Sequence, residues 1–505
     1  MTLPELLEDA AKTHAARTAL IFQEKRWTYK EVHEKVLSLA AGLSAQGVRA
    51  GDRVALFAKN CPEFIFSVFA LGRIGAAAVP INFMVKAEEA AFILNDIAAK
   101  HLITQSPLQD TVKETEKIHP GLKNIWVVGQ NFDALYAAAA ETVPACKTDD
   151  VMMILYTSGT AGHPKGAMLT HGNLTSNALS SAEALEINKD DRFLVILPLF
   201  HSFAWTANIL VPFCRGALVV LVEAIRPPKP WLKLMAEHKV TCFSAVPAIY
   251  AVLADQAKGF AKWVIRWFFF RNVRLCISGA APLTRATLDR FEANIGIPIM
   301  EGYGLTETSP VTNSNTPKAR RAGSVGKAIP GVKIKIIGAD GQSLPVDEEG
   351  EICVQGPNVM KGYYNLPKET AEAFTADGWF RTGDVGALDA DGYLYIRDRI
   401  KDMIIVKGLK VFSAQVEEIF KAHPAVLEAA VIGVPDETGD EVVKAFVVLK
   451  EGAAADKQEL LNFCKDKLPP YKRPRDIEIR KELPKNALQK VLKRQLRLES
   501  VKKPK

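Results

Sequence analysis

The sequence predicts an α/β protein: a large N-terminal region of layered α/β subdomains carrying a β subdomain, followed by a small C-terminal α+β domain. Three observations predict it. Strand-like apolar runs alternate with helix-periodic stretches, the pattern turns β-rich from about Gly323, and strand and helix signals restart after residues 399–402. Residues 3–15 and 29–43 carry apolar positions at helical spacing, and 53–57 (Arg-Val-Ala-Leu-Phe) reads as a strand. Residues 193–198, 217–222, 242–246 and 274–278 are short apolar runs between helical stretches, a second α/β layer. Asp340-Gly341, Asp377-Gly378 and Asp391-Gly392 punctuate the β-rich part, because glycine supplies the φ that tight turns need. The boundary is therefore drawn at 399–402, separating residues 1–398 from 403–505. In the latter, 403–406, 414–421 and 429–434 supply strand, helix and strand before a lysine-rich end at 490–505.

Composition sets the class. The 505 residues are 48% hydrophobic and 24% charged, an ordinary globular balance with room for two or three domains. A net charge of +7, with basic and acidic residues mixed, implies no nucleic-acid partner. Cysteines at 61, 146, 214, 242, 276, 353 and 464 are odd in number and form no C-x-x-C pair. Neither a disulfide framework nor a zinc site is expected, and a reducing, cytoplasmic setting is. Residues 1–10 carry acids where a secretory signal would be basic and then apolar. Residues 193–214 contain no formal charge and are long enough to span a bilayer, but Pro198, His201, Ser202 and Pro212 interrupt them. A buried strand, a turn and a buried helix are expected there, with no transmembrane helix.

Residues 156–167 read Tyr-Thr-Ser-Gly-Thr-Ala-Gly-His-Pro-Lys-Gly-Ala. The hydroxyls of Thr157, Ser158 and Thr160 can donate to phosphate oxygens, Gly159, Gly162 and Gly166 let backbone approach closely, and Lys165 supplies a mobile charge. It is not a Walker A loop, which needs four residues between its glycines and a hydroxyl directly after Gly-Lys. The bland alternative for such a loop is an ordinary flexible connection. It is followed in order by Gly302-Tyr303-Gly304-Leu305-Thr306-Glu307, Trp379-Phe380-Arg381-Thr382-Gly383-Asp384 and Asp398-Arg399-Ile400-Lys401-Asp402. In that order the motifs resemble those of the adenylate-forming acyl-CoA synthetases, over nearly the whole chain.

The resemblance implies an acid–thiol ligase that takes ATP and CoA as co-substrates with Mg²⁺ and proceeds through an acyl-adenylate. It implies that residues 157–166 hold the polyphosphate, that Glu307 ligates the magnesium with Thr157 beside it, and that Asp384 and Arg399 hold the ribose. Tyr303 is expected on the adenine, with Gly302, Gly304, Thr306, Gly279 and Ala280 offering close backbone. Residues 483–494, Leu-Pro-Lys-Asn-Ala-Leu-Gln-Lys-Val-Leu-Lys-Arg, match the C-terminal lysine motif. Lys490 is thereby the adenylation lysine, bridging carboxylate and α-phosphate. Lys401 takes the hinge position of a mobile C-terminal domain that presents two orientations to one site, and Lys407-Gly408 belong to the loop for the thiol half-reaction. Outside that context, Glu307 would be a surface acid, Asp384–Arg399 a surface ion pair and Lys490 a solvated charge. The chain departs from the pattern at Ala161, usually Thr or Ser, at Ser413, usually proline, and at Gln489, usually glycine.

The acid is read from residues 197–205, Leu-Pro-Leu-Phe-His-Ser-Phe-Ala-Trp. They resemble the aromatic gate of bacterial long-chain fatty acyl-CoA synthetases, which implies an acyl pocket lined by His201, Phe203, Trp205, Val246, Gly279 and Gly304. A core histidine is the bland alternative for His201. Residues 260–271 interleave aromatics with Lys262, Arg266 and Arg271. Two readings stand: a membrane-interface helix, or a core helix whose cations snorkel outward. The expectation is a medium- or long-chain fatty acid–CoA ligase. Its rivals are an aryl-CoA ligase of coumarate or benzoate type and a nucleotide-binding homologue without turnover, the last resting on Gln489 and Ala161. Oligomeric state is left open, a homodimer included.

Overall fold

The structure, a computed structural model, describes residues 1–137, 146–157, 164–225, 227–436, 440–486 and 490–502. It divides into two units. Residues 1–283, 287–333 and 354–380 form the first, and residues 284–286, 334–353 and 381–505 the second.

In the first unit the four expected strands of the second layer form as Arg192–Val195, Leu218–Leu221, Cys242–Ala245 and Leu275–Ser278. Each is almost wholly apolar and buried, as parallel strands covered on both faces must be. With Ile299–Gly304 they build the parallel centre of a nine-stranded sheet. One strand arrives from an unexpected place: Thr18–Phe22 pairs in parallel with Leu218–Leu221, bringing the Lys25–Thr28 strand to the sheet's edge. Tyr29 fixes that exchange, its buried hydroxyl donating to the Ala217 carbonyl at 2.6 Å.

The other sheet of this unit has seven strands. Arg53–Phe57 lies between Ala77–Pro80 and His101–Gln105, all parallel, and Val151–Thr157 and Lys165–Thr170 add an antiparallel hairpin. Helices Leu3–Thr13 and Tyr29–Ala45 begin where expected, each at a capping box: Thr2 with Glu5, and Thr28 with Glu31. The charge-free segment folds as a strand, a turn and a buried helical stretch running from Ser202 to Phe213 through a π turn at Thr206–Leu210. Among the described residues no helix is long and apolar enough to cross a membrane. The 260–271 segment is helical over Gly259–Val264 and continues as a π turn, Ile265–Phe269. Only Ile265 and Phe270 of it turn inward, so the core-helix reading fails.

The second unit holds a four-stranded sheet (Lys333–Ile337, Gly350–Gln355, Phe380–Leu388 and Leu394–Arg399), a hairpin and a three-stranded sheet. The three-stranded sheet (Val426–Pro435, Glu441–Leu449, Asp476–Arg480) buries Val431, Ala445, Val447 and Ile477 with Val416, Phe420 and Leu460, from helices Ser413–Lys421 and Lys457–Lys465. The 399–402 segment, a 3₁₀ turn at Ile400–Asp402, lies within this unit because the strand before it, Leu394–Arg399, packs against helix Ser413–Lys421 after it.

Candidate active site

In the first unit, four adjacent parallel strands deliver the predicted residues to one end of the sheet. Val246 follows Cys242–Ala245, Gly279 and Ala280 follow Leu275–Ser278, Gly302–Gly304 end Ile299–Gly304, and residues 197–205 follow Arg192–Val195. Ligands of open α/β sheets bind outside these carboxyl ends. A β-carbon at Gly279 would lie 3.4 Å from the Phe203 ring, so these two expected acyl-side residues do meet. Ala280 takes φ +67°, a left-handed backbone that non-glycine residues reserve for constrained sites. At Gly304 a β-carbon would sit 1.9 Å from the Pro310 carbonyl oxygen, so glycine alone fits. Tyr303 opposes Asn313 in the antiparallel ladder.

His201 heads the helix beginning at Ser202, its Nδ1 accepting from the Phe203 amide at 3.2 Å. Ser202 and Thr306 approach within 3.5 Å through their hydroxyls, joining the 201–205 segment to the Tyr303 loop. Trp205 is 1% exposed and packs on Phe64 and Phe69, ring centroids 6.4 and 5.9 Å away. Two supports were invisible in the sequence. Buried Asn60 donates to the Leu197 and Val222 carbonyls and accepts from the Leu199 amide, pinning the start of the 197–205 segment. Glu301, directly before Gly302, accepts from the Leu283 amide at 3.2 Å and so holds the Gly279–Leu283 turn; burial pushes its carboxyl up to about 7.

The phosphate loop proves to join two antiparallel strands, with Thr157 opposite Lys165. A strand follows it, not the helix of a Walker A site, so no helix dipole stands behind Lys165. Ser158, Gly159, Thr160, Ala161 and Gly162 lie outside the described residues. Lys165 and Glu307 are brought together by a third residue. Tyr363, on the edge strand beside Ala167, has its ring 5.1 Å from Lys165 Nζ and donates its hydroxyl to Glu307 Oε1 at 3.0 Å. Burial first, then the Glu307 carboxylate, pushes that phenol well up. Asn358 holds the turn after Glu307 by donating to the Thr308 and Val311 carbonyls. Among the described residues no cluster of three or more His, Cys, Asp or Glu could hold a metal alone. A carboxylate and a hydroxyl are nevertheless hard-oxygen donors of the kind magnesium takes with phosphate oxygens, so Glu307 and Thr157 are chemically suited to it.

In the second unit, strand register places Asp384 opposite Arg399, with Arg399 Nε 3.3 Å from Asp384 Oδ1. Lys490 is tied back to Asn486: its amide donates to Asn486 Oδ1 at 3.0 Å, its carbonyl accepts from Asn486 N at 2.9 Å, and Lys485 bridges Val491. Gln489 lies outside the described residues. Burial, reinforced by the Arg399 charge and opposed by Asp384, pulls the Lys490 ammonium down to about 8. Lys401 is pulled down for the same leading reason. Lys407 and Gly408, both at positive φ, form the two-residue turn of the Ile404–Val406/Leu409–Val411 hairpin. Ser413 is buried: its Oγ donates to Asp398 Oδ2 at 2.7 Å and accepts from Lys493 Nζ at 2.6 Å, while Lys493 also pairs with Glu417 at 2.6 Å.

Residues 7–364 match the AMP-binding enzyme family, and residues 415–490 match the AMP-binding enzyme C-terminal domain. A long-chain-fatty-acid–CoA ligase of Bacillus subtilis (strain 168) is 35% identical over 98% of this chain and 94% of its own. A feruloyl-CoA synthase of Amycolatopsis sp is 37% identical over 93% of each. Among solved structures, the O-succinylbenzoate coenzyme A synthetase of Bacillus subtilis in complex with ATP and magnesium ion superposes with a TM-score of 0.85, at 33% identity, over 97% of this chain and 98% of that one. A site built at the carboxyl ends of parallel strands and these acid–CoA ligase relatives lead to one conclusion: the chain belongs to the AMP-binding enzymes and is an AMP-forming acid–CoA ligase, with ATP, CoA and an acyl acid as substrates.

Proposed function

We propose that the acid is a medium- or long-chain fatty acid. The observation that carries this reading is the apolar side of the site. Residues 193–214 bear no formal charge, and Phe203 packs on Gly279, a wall suited to hydrocarbon and offering from that segment no cation for a second carboxylate. The long-chain relative supports it. A second reading, an aryl acid, is favoured by the feruloyl relative. Initial rates across a chain-length series and a panel of cinnamic and benzoic acids separate them; a higher kcat/KM for any aromatic acid than for every fatty acid overturns the first.

In the first step a carboxylate oxygen attacks the α-phosphorus of ATP, the bond to the bridging oxygen breaks and pyrophosphate leaves. In the second the CoA sulfur attacks the acyl carbonyl, the bond to the adenylate oxygen breaks, AMP leaves, and the thiol proton passes to solvent. Lys165 and the 157–166 loop hold the polyphosphate, with Glu307 oriented by Tyr363 and Thr157 beside it as magnesium ligands. Magnesium, when bound, supplies charge neutralisation there. Asp384 accepts from the ribose hydroxyls with Arg399 on the other side, and Tyr303 stacks on adenine between Gly302 and Gly304. Lys490 steadies the charge shared by carboxylate and α-phosphate. Lys401 is the hinge about which residues 403–505 reorient, bringing Lys407 and Gly408 to the thiol step. Seven free thiols suit a reducing cytoplasm.

A further inference from the structure

The 258–271 segment takes no part in the chemistry above, yet its surface is unusual for a protein in water. Among the described residues the exposed large aromatics are Phe260 (80%), Trp263 (58%), Trp267 (55%) and Phe268 (55%), all within one short helical stretch. Positions 260, 263 and 267 follow i, i+3, i+7 spacing, so they occupy one face, and it is the face turned to water. Inward-facing Ile265 and Phe270 anchor the stretch to the unit. The charge along the segment has a single sign. Lys258, Lys262, Arg266 and Arg271 interleave with the aromatics, and no acidic residue occurs between Asp255 and Asp289. Arg266 lies over the Trp267 ring at 5.2 Å, and Lys262 reaches back to the Ala293 carbonyl at 3.1 Å, so these two cations border the rings.

An exposed cluster of Trp and Phe is costly in water and requires a partner that takes the rings. The bordering cations choose between partners. A second copy of the same face would set like charges against each other, whereas an anionic lipid surface accepts rings at the acyl boundary and lysines and arginines at its headgroups. No helix of the described residues is long and apolar enough to span a bilayer, so the contact lies on the surface. We propose that residues 258–271 dock the enzyme on anionic lipid bilayers, with Phe260, Trp263 and Trp267 immersed and Lys258, Lys262, Arg266 and Arg271 against the headgroups. The surface binds lipid whatever acid the enzyme activates, so its test is independent of the fatty-acid reading.

The experiment is vesicle flotation of the full chain with phosphatidylcholine alone and with added phosphatidylglycerol, at low and high salt. The wild type should float with the anionic vesicles, more weakly at high salt, with a blue shift of tryptophan emission. Phe260→Ser/Trp263→Ser/Trp267→Ser should bind at least about tenfold more weakly, and Lys258→Glu/Arg271→Glu should lose the preference for anionic lipid. Both should keep wild-type melting temperature and wild-type turnover of a soluble short-chain acid, since these residues are exposed and none is assigned a part in the chemistry. A wild type that does not float, binding indifferent to lipid charge, or a serine triple variant that floats unchanged overturns the proposal. So does sedimentation showing a wild-type dimer that the triple variant dissociates while vesicle binding is absent.

Discussion

Replacing Lys490 with methionine keeps much of its length and removes only the charge, and it should move stability and activity in opposite directions. The ammonium of an ordinary lysine titrates at 10.5, and burial with the nearby Arg399 charge brings this one to about 8. Each pH unit of displacement corresponds to about 1.36 kcal/mol, so a protonated Lys490 destabilises the ligand-free fold by up to about 3 kcal/mol. The sign comes from proton counting. Between about pH 8 and 10.5 the unfolded chain holds a proton that the folded chain has released, so this group's contribution to stability rises with pH across that window; below pH 8 the penalty is fully present. Lys490→Met should therefore raise the urea midpoint at pH 7, and its advantage should shrink as pH rises past 8. The same change should slow acyl-adenylate formation by roughly 10²–10³ as one electrostatic stabiliser is lost, while thioester formation from supplied acyl-AMP persists. In the wild type, kcat/KM for adenylation should fall on the alkaline side with an apparent pKa near 8. A variant less stable than wild type at pH 7 would refute the buried-charge reasoning, and equal loss in both half-reactions would refute the catalytic role.

Tyr363→Phe keeps the ring near Lys165 and removes the hydroxyl on Glu307, so apparent magnesium affinity should weaken roughly tenfold or more; an unchanged magnesium dependence at fixed ATP counts against Glu307 as the ligand. Lys401→Pro, by fixing φ in the 399–402 turn, should leave adenylation in place while thioesterification falls, and both steps at wild-type rates would remove Lys401 from the hinge. Ser413→Pro installs the residue usual in the resembling family at the first position of its helix, where proline's φ is accommodated, and deletes the hydroxyl between Asp398 and Lys493. A loss of about 1–3 kcal/mol in the second unit's unfolding free energy is expected, and no change would show that those bonds contribute nothing.

Strands were readable where chemistry is local. Residues 193–195, 218–221, 242–245 and 275–278 are almost wholly apolar runs, and no other element buries both faces in so few residues. Pairing partners were not readable, because nothing in Thr18–Phe22 says that its neighbour is Leu218–Leu221. The site divides the same way. His201, Phe203, Gly279, Glu307, Asp384, Arg399 and Lys490 sit in short motifs, whereas Asn60, Glu301 and Tyr363 act across the fold and carry no local signature beyond the strand or turn they occupy. For residues 260–271 the pattern left two orientations of one helix open, since periodicity identifies a face but not what it meets; only packing of Ile265 and Phe270 decides.

That the phosphate loop is bounded by a ladder makes it tolerant in one respect and brittle in another. Thr157 opposite Lys165, and Ala167 opposite Tyr363, fix which way each side chain of the second strand points. Composition within the loop can drift, as Ala161 illustrates, without turning Lys165. Inserting or deleting a single residue, if absorbed by a register slip, would reverse the parity of the strand and carry Lys165 to the opposite face of the sheet, away from Tyr363. Length is thus the constrained property of this loop, and an engineer who varies its sequence freely should hold its residue count.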